Sequence, residues 1–123
     1  MEYFSNLGVE VVYTYINGVS ALISKVTKVF ILARCMFANG YLLGNNGASM
    51  ISCLAYNYKK PVIAFCETYK FCEKSQMDSY LYNNIQIENN HSRGKNKEET
   101  VNFLNMKYDL TPANYINMII NYY

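Results

Sequence analysis

The sequence has no tryptophan, two prolines and a single histidine, and charged side chains make up only 16% of its 123 residues. Eleven basic residues against nine acidic ones leave a formal net charge of +2. An excess this small excludes the strong attraction to nucleic acid or anionic lipid that a highly basic chain has. Disorder of the whole chain is excluded too, because 51% of the residues are hydrophobic and disordered chains combine low hydrophobicity with high net charge. The length corresponds to one domain.

Long hydrophobic runs are also missing. The longest, at 26–38, is interrupted by Lys28 and Arg34 and is shorter than the ~20 apolar residues of a membrane-spanning helix. The chain opens with Met1 and Glu2, and no apolar segment typical of a secretory signal follows. We therefore expect a cytosolic protein that has no membrane partner.

Metal and disulfide patterns are absent from the four cysteines, Cys35, Cys53, Cys66 and Cys72. They form no C-x-x-C pair, and the lone His91 lies in a polar stretch, so no zinc site is expected. Disulfides are not expected in a chain without a secretion signal. The prediction is four free thiols, with the first three in the core and the position of Cys72 left open.

No catalytic or nucleotide-binding signature is present. Gly40, Gly44 and Gly47 fit neither G-x-G-x-x-G nor the Walker A pattern, and no G-x-S-x-G motif occurs. Cys66 ends a predicted strand, where α/β sheets place ligands, but the base it would need is His91 in the polar stretch. From the residues alone we expect no catalytic set, no cofactor and no metal.

Hydrophobic periodicity predicts helices and strands that alternate along the chain. The strands around 29–33 and 62–66 have no polar position, which indicates burial on both sides in a parallel sheet. In the first half of the chain we predict a helix ending at Gly8, a strand at 9–16, a helix over 19–26 capped by Asn17, a strand at 29–33 and a turn at 38–40. A helix over 50–58 capped by Asn45 or Asn46, a strand at 62–66, a loop with a short helix at 67–81 and a strand at 101–106 follow. The last element is a terminal helix with Thr111 as N-cap and Pro112 in its first turn, which buries Tyr115, Ile116, Ile119 and Tyr123.

This order predicts an α/β fold, a mainly parallel sheet with helices on both faces. The first strand of such a sheet is missing, so the chain is expected to be N-terminally truncated, with an uncovered edge that needs a neighbour. The Asn-rich segment at about 83–100 is predicted to be a mobile polar insert on the surface.

The run CETYKFCE at 66–73, directly after PVIAFC, resembles the alpha/beta/delta family of eukaryotic translation initiation factor 2B subunits, its delta members above all. The similarity extends to VTKV at 26–29, FANGY at 37–41, LN at 104–105 and YDLTP at 108–112. An eight-residue run of this composition is more specific than a glycine fingerprint. The resemblance implies a Rossmann-like C-terminal domain, of which residues 1–123 would be the later part.

The resemblance also implies a function. The family's complex is the guanine nucleotide exchange factor that replaces GDP by GTP on initiation factor 2, and this chain would be a non-catalytic, regulatory subunit of it. The implied partners are the other initiation factor 2B subunits, especially beta, and initiation factor 2 through the assembled complex. No direct nucleic acid contact is expected.

The alternative is a sugar-phosphate isomerase, because enzymes such as methylthioribose-1-phosphate isomerase share this fold. Those relatives carry G-A-D, then A-N-G-D and N-K-x-G-T. At their acidic position this sequence has Arg34, at the second Asp it has Tyr41, and at the lysine it has Asn45. A guanidinium cannot shuttle a proton at neutral pH, and the phosphate-facing cation is lost. Isomerase activity is therefore disfavoured.

Three features are candidate contact sites. The loop after the second apolar strand mixes aromatic, basic and acidic side chains, as interfaces do, and we expect it to pack against a neighbouring subunit rather than only against its own sheet. Leu104 and Met106 belong either to the central interface or to the ordinary core. Arg34 pairs either with a local carboxylate or with a partner. The loop residues are Glu67, Thr68, Tyr69, Lys70, Phe71 and Glu73.

Overall fold

The structure, a computed structural model, describes residues 2–80, 83 and 106–123. It contains three α-helices and seven strands in this part of the chain, with short 3₁₀ turns at Ile16–Gly18, Thr68–Lys70 and Ala113–Tyr115. The elements are α1 (Glu2–Asn6), α2 (Val19–Leu22), β1 (Val29–Leu32), β2 (Cys35–Phe37), β3 (Leu42–Asn45), α3 (Ala48–Asn57), β4 (Val62–Glu67), β5 (Phe71–Cys72), β6 (Tyr108–Thr111) and β7 (Met118–Tyr122).

A parallel sheet of three strands forms the centre of the domain, in the order β1-β4-β7. Val29 pairs with Val62, and Ile63 with Met118, so all three strands run in the same direction. Helix α3 packs against this sheet and buries Ser52 and Ala55. The predicted α/β class and the parallel sheet are confirmed.

A second sheet, in the order β5-β2-β3-β6, was not predicted. Strands β2 and β3 form an antiparallel hairpin, which turns at Gly40 with a φ of 79°. The turn predicted at 38–40 is thus confirmed, but its flanking residues are strands. Three-residue strands such as β2 are too short for sequence periodicity to reveal.

The core lies on one face of the parallel sheet. Val29 and Ile31 of β1 and Val62 and Ala64 of β4 are buried there beneath α3. Burial of β1 on both sides is not observed, because Phe30 and Leu32 on the other face are 61% and 65% exposed. The helices that were expected to cover that face are not found on it among the described residues.

The N-terminal expectations are met in part. Helix α1 ends just before Gly8, whose φ of 74° suits a C-terminal cap. The strand predicted at 9–16 is wrong: residues 9–15 form no regular structure and are exposed. Alternation indicates β propensity, but a strand also needs a hydrogen-bonded neighbour, and none of the described strands pairs with this segment.

For the helix predicted over 19–26, the burial of the apolar side chains is correct but the length of the helix is not. Ile23 is buried, and Val19 and Val26 pack against the same core. Only α2 is helical, and turns follow it. The predicted cap Asn17 makes no cap bond, since it lies inside the 3₁₀ turn and Gly18 occupies the cap position.

The predicted terminal helix is also wrong. Thr111 ends β6, Pro112 leads into the 3₁₀ turn, and β7 follows. Tyr123 is fully exposed and Ile119 is exposed as well. Apolar spacing at 115, 116 and 119 fits a helix, but pairing of the β-branched residues with β4 outweighs that local preference.

Several other expectations can be compared with the structure. The helix predicted over 50–58 is confirmed as α3. The loop with a short helix predicted at 67–81 is met in part: a 3₁₀ turn forms at Thr68–Lys70, but Phe71–Cys72 form strand β5. The cysteines are all free; Cys66 is buried and the other three are half-buried. The insert at 83–100, except Asn83, and the strand at 101–106, except Met106, lie outside the described residues. Met106 itself is not in a strand.

Candidate contact surface at the carboxyl edge of the parallel sheet

The candidate loop follows β4 at the edge of the sheet where the parallel strands end. Strand β4 ends at Glu67, the 3₁₀ turn Thr68–Lys70 reverses the chain, and β5 then joins the second sheet beside β2. The loop therefore connects the two sheets. Its position at the carboxyl edge of a parallel sheet is the place where such folds present functional side chains.

Glu67 is the centre of a polar cluster within this loop. Its carboxylate forms an ion pair with Lys70 and accepts hydrogen bonds from the hydroxyls of Tyr69 (2.7 Å) and Tyr122 (3.3 Å). The hydrogen bond from Lys70, followed by that from Tyr69, lowers the pKa of the Glu67 carboxyl. The same contact with Glu67 raises the pKa of Lys70. Glu67 and Lys70 thus neutralise each other within the loop.

Thr68 ties the loop to the last strand. Its hydroxyl lies 3.1 Å from Oδ1 of Asn121 and 3.2 Å from the backbone oxygen of Tyr122, both in β7. With Glu67 bonded to Tyr122 as well, the polar base of the loop is attached to its own sheet. Contact of Glu67, Thr68 and Lys70 with a neighbouring subunit stays a prediction.

Two aromatic side chains of the loop are exposed, although the hydroxyl of Tyr69 is bonded to Glu67. Tyr69 is 78% exposed and Phe71 is 48% exposed, and the ammonium group of Lys70 lies 5.7 Å from the centre of the Tyr69 ring. Glu73 is also exposed. A fixed polar base with exposed aromatic side chains is an arrangement suited to a contact with another protein.

The cysteines near this surface are poor nucleophiles. Burial raises the pKa of the Cys66 thiol, whose sulfur lies 3.5 Å from the backbone oxygen of Glu67. Burial, followed by the neighbouring Cys72, raises the pKa of Cys35 to about 11. Thiols with raised pKa values stay protonated at neutral pH, and the thiolate is the reactive form.

Two of the three positions that differ from the isomerase motifs, Arg34 and Asn45, contact each other. Nε of Arg34 donates a hydrogen bond to Oδ1 of Asn45 at 3.1 Å. Among the described residues no carboxylate pairs with Arg34, so the local ion pair is not observed, and a contact of Arg34 with a partner stays a prediction. Tyr41 is half-buried and packs against Phe37, Leu43 and Leu110. Neither a carboxylate nor a lysine ammonium is provided at these positions.

Asp109 is a residue that sequence reasoning missed. From β6 its carboxylate reaches the start of α3 and accepts hydrogen bonds from the backbone N–H of Gly47 (2.7 Å) and Ser49 (3.2 Å). Burial raises the pKa of Asp109, and these bonds oppose the rise. The donors that a helix N-terminus offers to a phosphate are thus already occupied. Neither Asn45 nor Asn46 caps α3, and no local signal links position 109 to a helix that starts 61 residues earlier.

The remaining predicted contact residues lie apart from this loop. Met106 is half-buried just before β6, and Leu104 lies outside the described residues. No group of three or more potential metal ligands occurs in the part of the chain that the structure describes. No helix in that part is long and apolar enough to cross a membrane.

The parallel sheet, its connecting helix and the altered motif positions define a Rossmann-like α/β domain of the initiation factor 2B type. Residues 1–122 match the model of the initiation factor 2 subunit family, and the chain belongs to that family.

Individual relatives are similar over nearly the whole chain. The delta subunit of translation initiation factor eIF2B from Dictyostelium discoideum is 37% identical, and the one from Schizosaccharomyces pombe is 32% identical, each over 92% of this chain. The match covers 20% and 27% of those two proteins, so this chain spans about a quarter of their length or less. A ribose 1,5-bisphosphate isomerase from Archaeoglobus fulgidus is 32% identical over 92% of the chain and 36% of its own length.

Solved structures agree with this assignment. A chain in the crystal structure of the tetrameric eIF2B-beta2-delta2 complex from C. thermophilum superposes with a TM-score of 0.78 at 26% identity, over 97% of this chain and 36% of that one. The resemblance of the CETYKFCE run to the delta subunits is therefore confirmed at the level of the whole chain.

Proposed function

We propose that this chain acts as a non-catalytic, regulatory part of a delta-type subunit of initiation factor 2B. In this proposal it contributes to GDP–GTP exchange on initiation factor 2 by assembly, and it works in the cytosol. Its partners would be the other subunits, especially beta, with initiation factor 2 contacted through the assembled complex. The similarity to two delta subunits supports the proposal.

The observation that carries the proposal is the geometry of the loop after β4. Glu67 and Lys70 neutralise each other within the loop, while Tyr69, Phe71 and Glu73 stay exposed. Removing two exposed aromatic side chains from water on association is favourable, because aromatic residues dominate the energetics of interfaces. Since Glu67 already has its partners, association at this loop does not leave its charge buried without a partner.

The experiment is co-expression with an initiation factor 2B beta subunit, followed by native mass spectrometry. Tyr69→Ala together with Phe71→Ala should lower the fraction of assembled complex at least tenfold. The matched control is Tyr58→Ala, since Tyr58 is 47% exposed and precedes β4, whereas the loop follows the other end of that strand. Unchanged assembly of the double variant would overturn the assignment of this loop to the interface.

A sugar-phosphate isomerase is the second candidate, favoured by the identity to the archaeal ribose 1,5-bisphosphate isomerase. The contact between Arg34 and Asn45 argues against it, because no proton carrier or phosphate-facing ammonium stands at those positions. Incubation with ribose 1,5-bisphosphate and with methylthioribose-1-phosphate separates the two functions. Turnover of either sugar would establish the enzyme and refute the non-catalytic role.

A further inference from the structure

Charge is distributed unevenly along the chain. From residue 11 to residue 66 there is no aspartate or glutamate, but five basic residues. One of them, Arg34, lies beyond β1 and bonds to Asn45. The other four are lysines just before the first two strands of the parallel sheet: Lys25, Lys28, Lys59 and Lys60.

The fold collects these four lysines at one edge of the sheet. Lys25 and Lys28 precede β1, and Lys59 and Lys60 precede β4. Because β1 and β4 are parallel and Val29 pairs with Val62, both loops lie at the amino edge. The ammonium group of Lys60 donates a hydrogen bond to the backbone oxygen of Ser24 at 3.1 Å, which fastens one loop to the other. We call these four side chains the lysine edge.

The lysine edge is not neutralised within the domain. None of its ammonium groups forms an ion pair with a carboxylate in the described part of the chain. The ion pair seen there, between Glu67 and Lys70, lies at the opposite end of β4. Lys25, Lys28 and Lys59 are exposed. Clustered like charges repel one another, so the folded domain is less stable for carrying them unless a counter-charge is supplied.

Lys59 carries an additional cost in its backbone. Its φ of 54° places it in the left-handed region, and it is the non-glycine residue with a positive φ among the described residues. It follows the end of α3, where glycine is the usual residue because it has no Cβ. Such outliers are concentrated at functional sites. The attraction of a cation to the helix C-terminus explains a lysine here in part, but it does not explain Lys25 or Lys28 on the neighbouring loop.

A groove adjoins the lysine edge. It encloses about 550 Å³ and is lined by Tyr56, Asn57, Lys59, Lys60, Pro61 and Asn117.

Two amide groups in this groove have unused hydrogen-bonding atoms. Asn57 uses Nδ2 on the backbone oxygen of Cys53, and Asn117 uses Oδ1 on the backbone N–H of Val62. The Oδ1 of Asn57 and the Nδ2 of Asn117 are left as one acceptor and one donor. That pair matches the N–H and C=O of a peptide group.

We propose that the lysine edge and its groove bind an acidic segment of a partner polypeptide, whose backbone pairs with Asn57 and Asn117 and whose carboxylates neutralise the lysines. A polypeptide is favoured over a nucleic acid for two reasons. The ring of Tyr56 is already paired with that of Tyr115, at 5.3 Å between centroids, which leaves it less available to stack on a base. The whole chain carries a net charge of only +2.

The test uses the 123-residue chain and a fluorescein-labelled octaglutamate peptide, with fluorescence anisotropy at low and at physiological salt. Octaglutamate should bind, octaglutamine should not, and the affinity should fall as salt screens the charges. The triple variant Lys25→Gln, Lys28→Gln, Lys59→Gln should weaken binding at least tenfold. The control variant Lys74→Gln, whose lysine lies after β5, should change it less than twofold.

Three results would overturn the proposal. One is no binding of octaglutamate by the unmodified chain at low salt. Another is an equal loss in the control variant, which would mean that only the net charge matters. The third is tighter binding of an eight-nucleotide oligouridine than of octaglutamate, which would assign the surface to RNA. Lys59→Gly provides an independent check: it should raise the melting temperature and yet weaken peptide binding at least twofold.

Discussion

The hydrogen bonds from Asp109 to the start of α3 predict a large loss of stability in the variant Asp109→Ala. The carboxylate accepts from the backbone N–H of Gly47 at 2.7 Å and of Ser49 at 3.2 Å, and it joins β6 to α3 across 60 residues of sequence. Loss of a capping side chain typically costs ~1 kcal/mol. Leaving half-buried donors without a partner adds about 1 kcal/mol. We therefore expect the free energy of unfolding to fall by about 2 kcal/mol.

Urea unfolding at pH 7, followed by circular dichroism, measures this change. For a domain of this size, about 2 kcal/mol corresponds to a fall of about 8 °C in Tm. Asp109→Asn should lose less, about 1 kcal/mol, because the amide keeps an acceptor oxygen and carries no charge for burial to penalise. The control is Asp78→Ala, which removes an exposed carboxylate that accepts from the N–H of Tyr80 only.

The reasoning would be refuted if Asp109→Ala lost less than about 0.5 kcal/mol, the usual range of a surface substitution. It would also be refuted if Asp78→Ala lost as much as Asp109→Ala. In either case the donors at the start of α3 would have to be satisfied without the carboxylate.

Three further predictions concern the core, the exposed face and the loop. Leu42→Ala should destabilise by about 2–5 kcal/mol in urea unfolding, because the side chain is completely buried and leaves a cavity; a loss below about 1 kcal/mol would contradict the packing. Phe30→Gln with Leu32→Gln should reduce binding of the dye ANS, since both side chains form part of an uncovered apolar face; unchanged fluorescence would mean that this face is covered in solution. Glu67→Gln should make the free energy of unfolding depend less on pH in the acid range. Because the pKa of Glu67 is lowered in the folded state, this carboxylate stabilises the fold above its unfolded-state pKa, and that stabilisation is lost as the pH falls through its folded-state pKa.

The sequence predicts those parts of the fold whose local pattern and long-range pairing agree. The apolar run at β4 and the helical spacing of α3 are both strong, and both elements form where they were expected. The segment at 9–15 has an equally clear strand pattern but no neighbour to pair with among the described residues. Conversely, the apolar residues around β7 have the spacing of a helix, yet this segment forms a strand because it pairs with β4. The hydrophobic pattern of one segment does not reveal whether a neighbouring strand is available to pair with it.

In the candidate site, too, local features could be predicted from the sequence and long-range contacts could not. The mixed composition of the loop after β4 predicts a contact with another subunit, which stays a prediction; Tyr69 and Phe71 are exposed in the single chain. The attachment of that loop through Thr68 to β7 was not predictable, because β7 itself was expected to be a helix. Asp109 was missed for a similar reason: its partners are set by the packing of β6 beside β3, a pairing between strands 63 residues apart.

The two ends of the parallel sheet differ in how their charged side chains are paired. At the carboxyl edge, Nε of Arg34 donates to an amide and Glu67 is paired with Lys70, and among the described residues neither a carboxylate nor a lysine stands at the altered motif positions. An enzyme of this fold would need such a group at that edge. At the amino edge, the lysines have no carboxylate partner within the described residues, and unneutralised charge of one sign is what a complementary surface recognises. Within the described residues, the lysine edge is therefore the cluster of like charges that a complementary protein surface could neutralise.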